Sequence, residues 1–305
     1  MKIVLYNDYQ VGLLKDGTVV DVSAVVPRGG TPQLTIEGLI TNFQSLKGAL
    51  ERTLAQGEGV PLSQVQLRAP VPRPGKIVCM GGNFGEFVGR KGTMWGFLKS
   101  PEAVLDPGGT VVLPPEDANI FHHEAELVAV MGHTAARVSK DGALRNVFGY
   151  MCGCDVSGRF SPESRQQFGK SFDTFAPIGP CIATWDEVPD PHQVQVRMWV
   201  DGQLRHDYLM TEVLQSFKHG RKRVPYPSRN GFWTVRRESL GQAGVRTTEC
   251  HGGHRSTCRL VRFAASHAVP SRAVPWCGWS SAGYRVVSAP SWALSEGHFV
   301  MIPTP

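Results

Sequence analysis

With 305 residues, 41% hydrophobic and 19% charged, the chain has the make-up of an ordinary globular protein, long enough for one large domain or two smaller ones. No run approaches the roughly 18 apolar residues of a membrane span, and "MKIVLYNDYQ" meets charge too early for a secretory signal, so no membrane partner is expected and the cytoplasm is the expected compartment. The net charge of +6 is not spread over the fold: residues 1–220 hold 20 Lys+Arg against 23 Asp+Glu, whereas 221–290 hold 12 against two.

The chain opens on short strands, with Asp16-Gly17 as the turn between "GLLK" and "TVVDV". Ile36, Leu39, Ile40, Phe43, Leu46, Leu50 and Leu54 then recur at three- and four-residue spacings, which predicts one amphipathic helix ending near Gly57. "QVQLRAP" alternates like a strand, and the stiff "PVPRPG" at 70–75 marks a boundary. Residues 1–70 therefore read as a small N-terminal α+β domain.

From Lys76 the signals are mostly β: "KIVCMGG", "TVVLP", "AELVAVMG", "CIATW" and "VQVRMWVDGQLRH", the last a hairpin turning at Asp201-Gly202. A short helix is expected over 139–147, capped by Ser139. Cys152 and Cys154 read as small buried residues, and the seven cysteines as free thiols. The expected class is α+β, mostly β, with 75–305 as the second domain. Within it 219–290 diverges: residues 221–290 have no Ile, two Leu, eleven Arg and no sustained period, so the stretch is either a basic extension, anomalous (out of frame, for instance) or disordered.

The chemistry concentrates in "IFHHEAELVAVMG", where Glu124 and Glu126 sit one residue apart in a strand-like segment. Residues i and i+2 of a strand share a face, about 6 to 7 Å apart at the root. Two buried carboxylates so placed need a cation between them or a proton on one; a hard divalent ion suits oxygen ligands. E-x-E alone also fits an edge strand with both glutamates in water. Asp155 closes the apolar run "GYMCGCDVSGR", Lys170 opens "GKSFDTFAPIGP", and Lys99 lies in "FLKSPEAVLDPGGTVVLPP". "FGKS" is not a phosphate loop, because Ser164 stands where its first glycine is needed. Cys250, His254 and Cys258 have zinc-compatible spacing without a defined fourth ligand.

Taken in order and spacing, these four stretches resemble the fumarylacetoacetate hydrolase family from about Pro74 to about His206. The resemblance implies a mixed β-roll or sandwich domain after a small N-terminal one, a homodimer, and a divalent metal, Mg²⁺ or Mn²⁺ with Ca²⁺ admitted. It implies Glu124, Glu126 and Asp155 as metal ligands, Lys170 as the catalytic cation, and Arg159, Lys99 and Thr304 as substrate-binding residues. The implied activity is on a 2-oxo acid or β-dicarbonyl compound by C–C hydrolysis, decarboxylation, hydration or isomerisation through a metal-stabilised enolate.

The sequence departs from the family in three places. In "GGNFGEFVGR", Phe84, Phe87 and Arg90 replace the family's tyrosine and its water-activating His–Glu pair, and phenylalanine accepts no proton. Phe160 and Pro162 replace an aspartate and a glutamine, and Thr304-Pro305 is the only echo of a "GTP-x-G-V-G" turn. These changes lean away from hydrolytic cleavage, toward isomerisation or decarboxylation. Two further readings stand: a catalytically silent member that binds metal and a small oxo acid, and a nucleic-acid grip through 221–290, against which no known module pattern is found.

Overall fold

A computed structural model describes residues 1–81, 95–114, 118–135, 138, 140–160, 169–200 and 203–212, together with strands at 231–236, 262–267 and 299–300. The chain begins as a meander of β1 (Lys2–Tyr6), β2 (Gln10–Lys15) and β3 (Thr18–Asp21). Lys15 faces Thr18 across a two-residue turn in which Asp16 and Gly17 have φ of 45° and 78°. Two positive φ angles are what a hairpin turn of the right twist requires, and Asp-Gly supplies them at low steric cost.

The single helix expected over 36–57 is instead two, α1 (Pro32–Thr41) and α2 (Phe43–Gln56). The break is at Asn42, which leaves helical geometry at φ −102° and ψ 12° and turns its side-chain amide back onto the Gly38 carbonyl at 2.9 Å. Asparagine competes for the backbone in this way wherever a helix ends. Thr31 caps α1 by accepting the Leu34 N–H, and α2 stops at Gly57 as expected. The apolar stripe faces the core, with Ile36, Leu39 and Leu50 fully buried. Two short strands, β4 (Val60–Pro61) and β5 (Leu67–Arg68), follow.

The larger part supplies β6 (Lys76–Gly81), β7 (Trp95–Lys99), β8 (Val104–Leu105), β9 (Ala118–Met131), β10 (Val147–Phe160) and β11 (Ala176–Thr184). After them come β12 (Val194–Val200), β13 (Gln203–Leu209), β14 (Gly231–Arg236), β15 (Arg262–His267) and β16 (Phe299–Val300). Among the described residues, one sheet runs β4-β3-β2-β1-β11-β10-β9-β14-β6-β7, and a second runs β13-β12-β15-β16. The class is α+β, mostly β, as expected. β1 pairs with β11, so strands β1 to β5 join the same sheet that carries the glutamates.

Three local expectations change. Residues 110–114 form no strand; Val112 gives its N–H to the Thr174 hydroxyl at 2.8 Å instead of to a ladder. The helix near 139–147 is a 3-10 helix, Lys140–Asn146, and its expected cap Ser139 lies outside the described residues, as does the Asp201-Gly202 turn between the paired strands β12 and β13. Within the divergent 219–290, two segments are strands: β14 lies between β9 and β6, and β15 pairs with β12. "GFWTVR" is rich in the aromatic and β-branched residues that a pleated surface favours. The rest of that stretch lies outside the described residues.

The sheet curls. β7 is four places from β10 along the ladder, about 19 Å if the sheet were flat, yet the Lys99 ammonium of β7 is 2.6 Å from Asp155 of β10. Only a sheet rolled back over its own face permits that contact. The roll closes over β9 and β10, whose residues are among the most deeply buried in the molecule.

Candidate active site

β9 and β10 pair in register over most of their length. Glu124 is directly opposite Asp155, Glu126 opposite Gly153, and His122 opposite Ser157. Opposed residues share a face, so both glutamates, Asp155, Ser157 and His122 project to one side. Glu124, Glu126 and Asp155 are 0%, 2% and 1% exposed, which excludes the solvated-edge alternative.

Two lysines answer these carboxylates. Lys170 hydrogen-bonds Asp155 Oδ2 at 2.5 Å and Glu124 Oε2 at 3.3 Å, and its ammonium lies 4.6 Å from the centre of the Phe97 ring, a cation–π contact. Lys99, fully inside, donates to Asp155 Oδ1 at 2.6 Å and to the Val156 carbonyl at 2.8 Å. Both lysines are brought in by their chain neighbours. The Ser100 N–H donates to the Ser171 hydroxyl at 3.1 Å, linking the two lysine-bearing segments. Gly158 donates its N–H to the Gly169 carbonyl at 2.7 Å, seating the Lys170 turn directly on β10. A Cβ at Gly169 would collide with the Gly158 carbonyl, so this approach requires glycine.

Arg159 lies on the same strand face four residues beyond Asp155, about 13 Å along β10. Its Nε donates to His122 Nδ1 at 3.4 Å, and His122 Nδ1 is in turn 4.0 Å from Glu124 Oε1. The face thus reads carboxylates, imidazole, guanidinium in line. His123 points the other way; burial first, then the charge of Arg205, pushes its imidazole down to about 4, so it is neutral near pH 7. Phe160 joins an edge-on aromatic cluster with Phe121, Phe172 and Phe175.

The structure therefore gathers Glu124, Glu126, Asp155 and Lys170 as the sequence implied. Lys99, expected beside substrate, is buried and bonded to Asp155. Thr304, Phe84, Phe87, Arg90, Pro162 and the cysteine–histidine stretch 250–258 lie outside the described residues. Sequence reasoning missed Ser157, whose buried hydroxyl has no hydrogen-bond partner among the described residues, and the side chains of β13 that reach β9. A signal for the latter was present in "HDY", where His206 and Tyr208 share a strand face.

Among the described residues, no three His, Cys, Asp or Glu side chains stand together at ligating distance; Asp155 is met by the ammoniums of Lys99 and Lys170, and Glu124 by that of Lys170. The donor set nonetheless fits a hard divalent ion. It consists of three buried carboxylates on one face, with no thiolate among them.

Residues 76–219 match the family model described as fumarylacetoacetate (FAA) hydrolase C-terminal. That match places residues 76–219 with the fumarylacetoacetate hydrolase C-terminal domain. Among curated proteins it is 32% identical, over 197 residues, to mitochondrial oxaloacetate tautomerase FAHD2B of Bos taurus, covering 62% of each chain. The chain thus spans about three fifths of the length of that relative. Among solved structures, maleylpyruvate hydrolase from Sphingobium sp. SYK-6 superposes with a TM-score of 0.72 at 27% identity, covering 87% of this chain and 94% of that one. A structure of the same enzyme with manganese(II) and pyruvate gives 0.68 at 27% identity over the same shares. These relatives are named as enzymes of oxo acids, and the mostly β fold of this chain matches that of the Sphingobium enzyme. No helix among the described residues is long and apolar enough to cross a membrane.

Proposed function

We propose that this chain holds a divalent cation, Mn²⁺ or Mg²⁺ with Ca²⁺ admitted, on Glu124, Glu126 and Asp155, and interconverts the keto and enol forms of a 2-oxo acid or β-dicarbonyl compound. The observation that carries this reading is the Lys170 ammonium set between Asp155 and Glu124. A bound divalent ion supplies Lewis acidity that lowers the cost of negative charge on a carbonyl oxygen.

Lys170 keeps a fixed cation beside the same face and donates a hydrogen bond to the oxygen that becomes the enolate. Lys99 binds the far oxygen of Asp155 and so fixes that carboxylate's orientation. Arg159, about 13 Å along the strand, suits a substrate carboxylate with its planar fork. The roll of the sheet excludes water and strengthens each of these interactions. In the reaction one proton leaves the carbon beside the carbonyl and one arrives at its oxygen; no water is consumed and no group departs. That balance suits a chain in which Phe87 and Arg90 stand where a water-activating pair would be needed. The tautomerase name of the Bos taurus relative and the pyruvate in the Sphingobium enzyme support the substrate class. A homodimer in the cytoplasm accompanies the proposal.

The test follows the decay of enol absorbance of oxaloacetate, with and without Mn²⁺. The protein is expected to accelerate decay only with the metal, and Lys170→Ala to lower the rate about 10² to 10³-fold, the range for losing one preorganised donor. Decay no faster than in buffer with Mn²⁺ alone contradicts the activity. If binding of the metal and of oxo acid persists in that case, the silent-member reading, which the phenylalanine at position 87 favours, replaces it.

A further inference from the structure

Among the described residues, β14 pairs with β9 from Val130 to Glu126. One residue on, Ala125 is paired to Cys154 of β10 on its other side, and its outward N–H and carbonyl lie past the described part of the ladder to β14. Both are met by side chains from the second sheet. The Ala125 N–H donates to His206 Nδ1 at 3.3 Å, and the Tyr208 hydroxyl donates to the Ala125 carbonyl at 2.7 Å. His206 is 8% exposed and Tyr208 2%. Two residues of one strand, sharing a face, thus bond both backbone groups of one unit of the chain.

That unit is the residue between Glu124 and Glu126. The direction in which each carboxylate leaves β9 depends on the φ and ψ of Ala125, since i and i+2 side chains keep a common aim only while the intervening residue stays extended. Side-chain bonds to both backbone groups of a strand residue resist the local bulging or twisting that would turn its neighbours' side chains apart. The geometry points to His206 and Tyr208 as positioning residues: by clamping both backbone groups of Ala125 they hold Glu124 and Glu126 at the spacing and common aim that one cation requires. This rests on the metal reading given above. It also assigns a task to the second sheet, which otherwise contributes no group to the face of the carboxylates among the described residues. For Nδ1 to accept, the proton of the neutral imidazole sits on Nε2.

The full chain is titrated with Mn²⁺ by calorimetry as four variants beside the wild type. Tyr208→Phe removes the donor and keeps the ring. His206→Leu removes the acceptor, while His206→Asn places an amide oxygen where Nδ1 was. Tyr6→Phe deletes a hydroxyl bonded to Asp21, remote from the glutamates. Tyr208→Phe and His206→Leu are expected to weaken Mn²⁺ binding about tenfold or more, the range for groups that orient ligands from behind. His206→Asn is expected to restore most of the affinity, and Tyr6→Phe to leave it unchanged. Hydrogen exchange of the peptide holding Ala125 should rise in the first two alone. Unchanged affinity in Tyr208→Phe and His206→Leu, with the wild type binding, overturns the clamp and leaves the metal reading intact. Equal weakening in Tyr6→Phe overturns it too, as a general effect of lost stability. No Mn²⁺ binding by a folded wild type overturns the metal reading, and the clamp with it.

Discussion

Lys99 and Lys170 touch the same carboxylate and differ in what surrounds them. The Lys99 side chain is 2% exposed and the Asp155 side chain 0%, so the pair is a buried salt bridge. Removing one partner of a lone buried pair costs about 3 kcal/mol or more. Lys99→Met leaves Asp155 its bond to Lys170, and is expected to lower stability by up to about 3 kcal/mol in denaturant titration. Lys170, at 17% side-chain exposure, opens toward the face where substrate would lie; Lys170→Met is expected to cost much less stability. A Lys99→Met variant as stable as the wild type would contradict the holding role given to Lys99. The sequence alone ranked the two lysines by motif and placed both near substrate. Only the rolled sheet separates them, because the roll sets β7 against β10 and carries Lys99 beneath Asp155.

The turn bearing Lys170 depends on two glycines in backbone contact. Gly158 lies in β10 and Gly169 just before Lys170, and their bond at 2.7 Å leaves no room for a methyl group. Gly169→Ala is expected to lift the turn from the strand and move Lys170 away from Asp155, lowering keto–enol turnover about as much as Lys170→Ala. Assay of that variant checks it; full activity would contradict the seating. Elements with a strong local signal were legible in the sequence. The Asp16-Gly17 hairpin, the stop at Gly57 and the strands around Glu124 and Asp155 follow from turn chemistry and apolar patterning. Elements decided by a competing local bond were not: Asn42 split the helix by turning its amide onto Gly38, and Val112 gave its N–H to Thr174 rather than to a strand. The candidate site was legible at its carboxylates and Lys170 through four motifs. The bonds from His206 and Tyr208 to Ala125 were not, because the spacing in "HDY" shows a shared strand face without showing what that face meets.

Across the molecule, the described cysteines are buried free thiols, as their number in such a chain implied. Burial pushes the Cys152 thiol from 9.0 up to about 12, and raises Cys154, with Asp155 adding to the effect, and Cys181 as well. A thiol held neutral by the fold contributes stability that is whole below its unfolded value near 9 and fades as pH climbs toward 12. Unfolding midpoints are therefore expected to hold steady from pH 7 to about 9 and fall between about 9 and 12. Alkylation at pH 8, read by peptide mass, should leave these three unmodified until the protein unfolds. Rapid labelling of Cys152 or Cys154 in the folded protein would contradict their placement beside the carboxylates in the core.

The same closed interior makes three carboxylates on one face a costly arrangement unless a cation repays it. The direct test is calorimetric titration of Mn²⁺ into the purified chain, with and without oxalate as a mimic of the enolate, beside Glu126→Ala. The account predicts a specific site that oxalate tightens and Glu126→Ala abolishes. A folded protein that binds no Mn²⁺, or binds it equally well without Glu126, would contradict it.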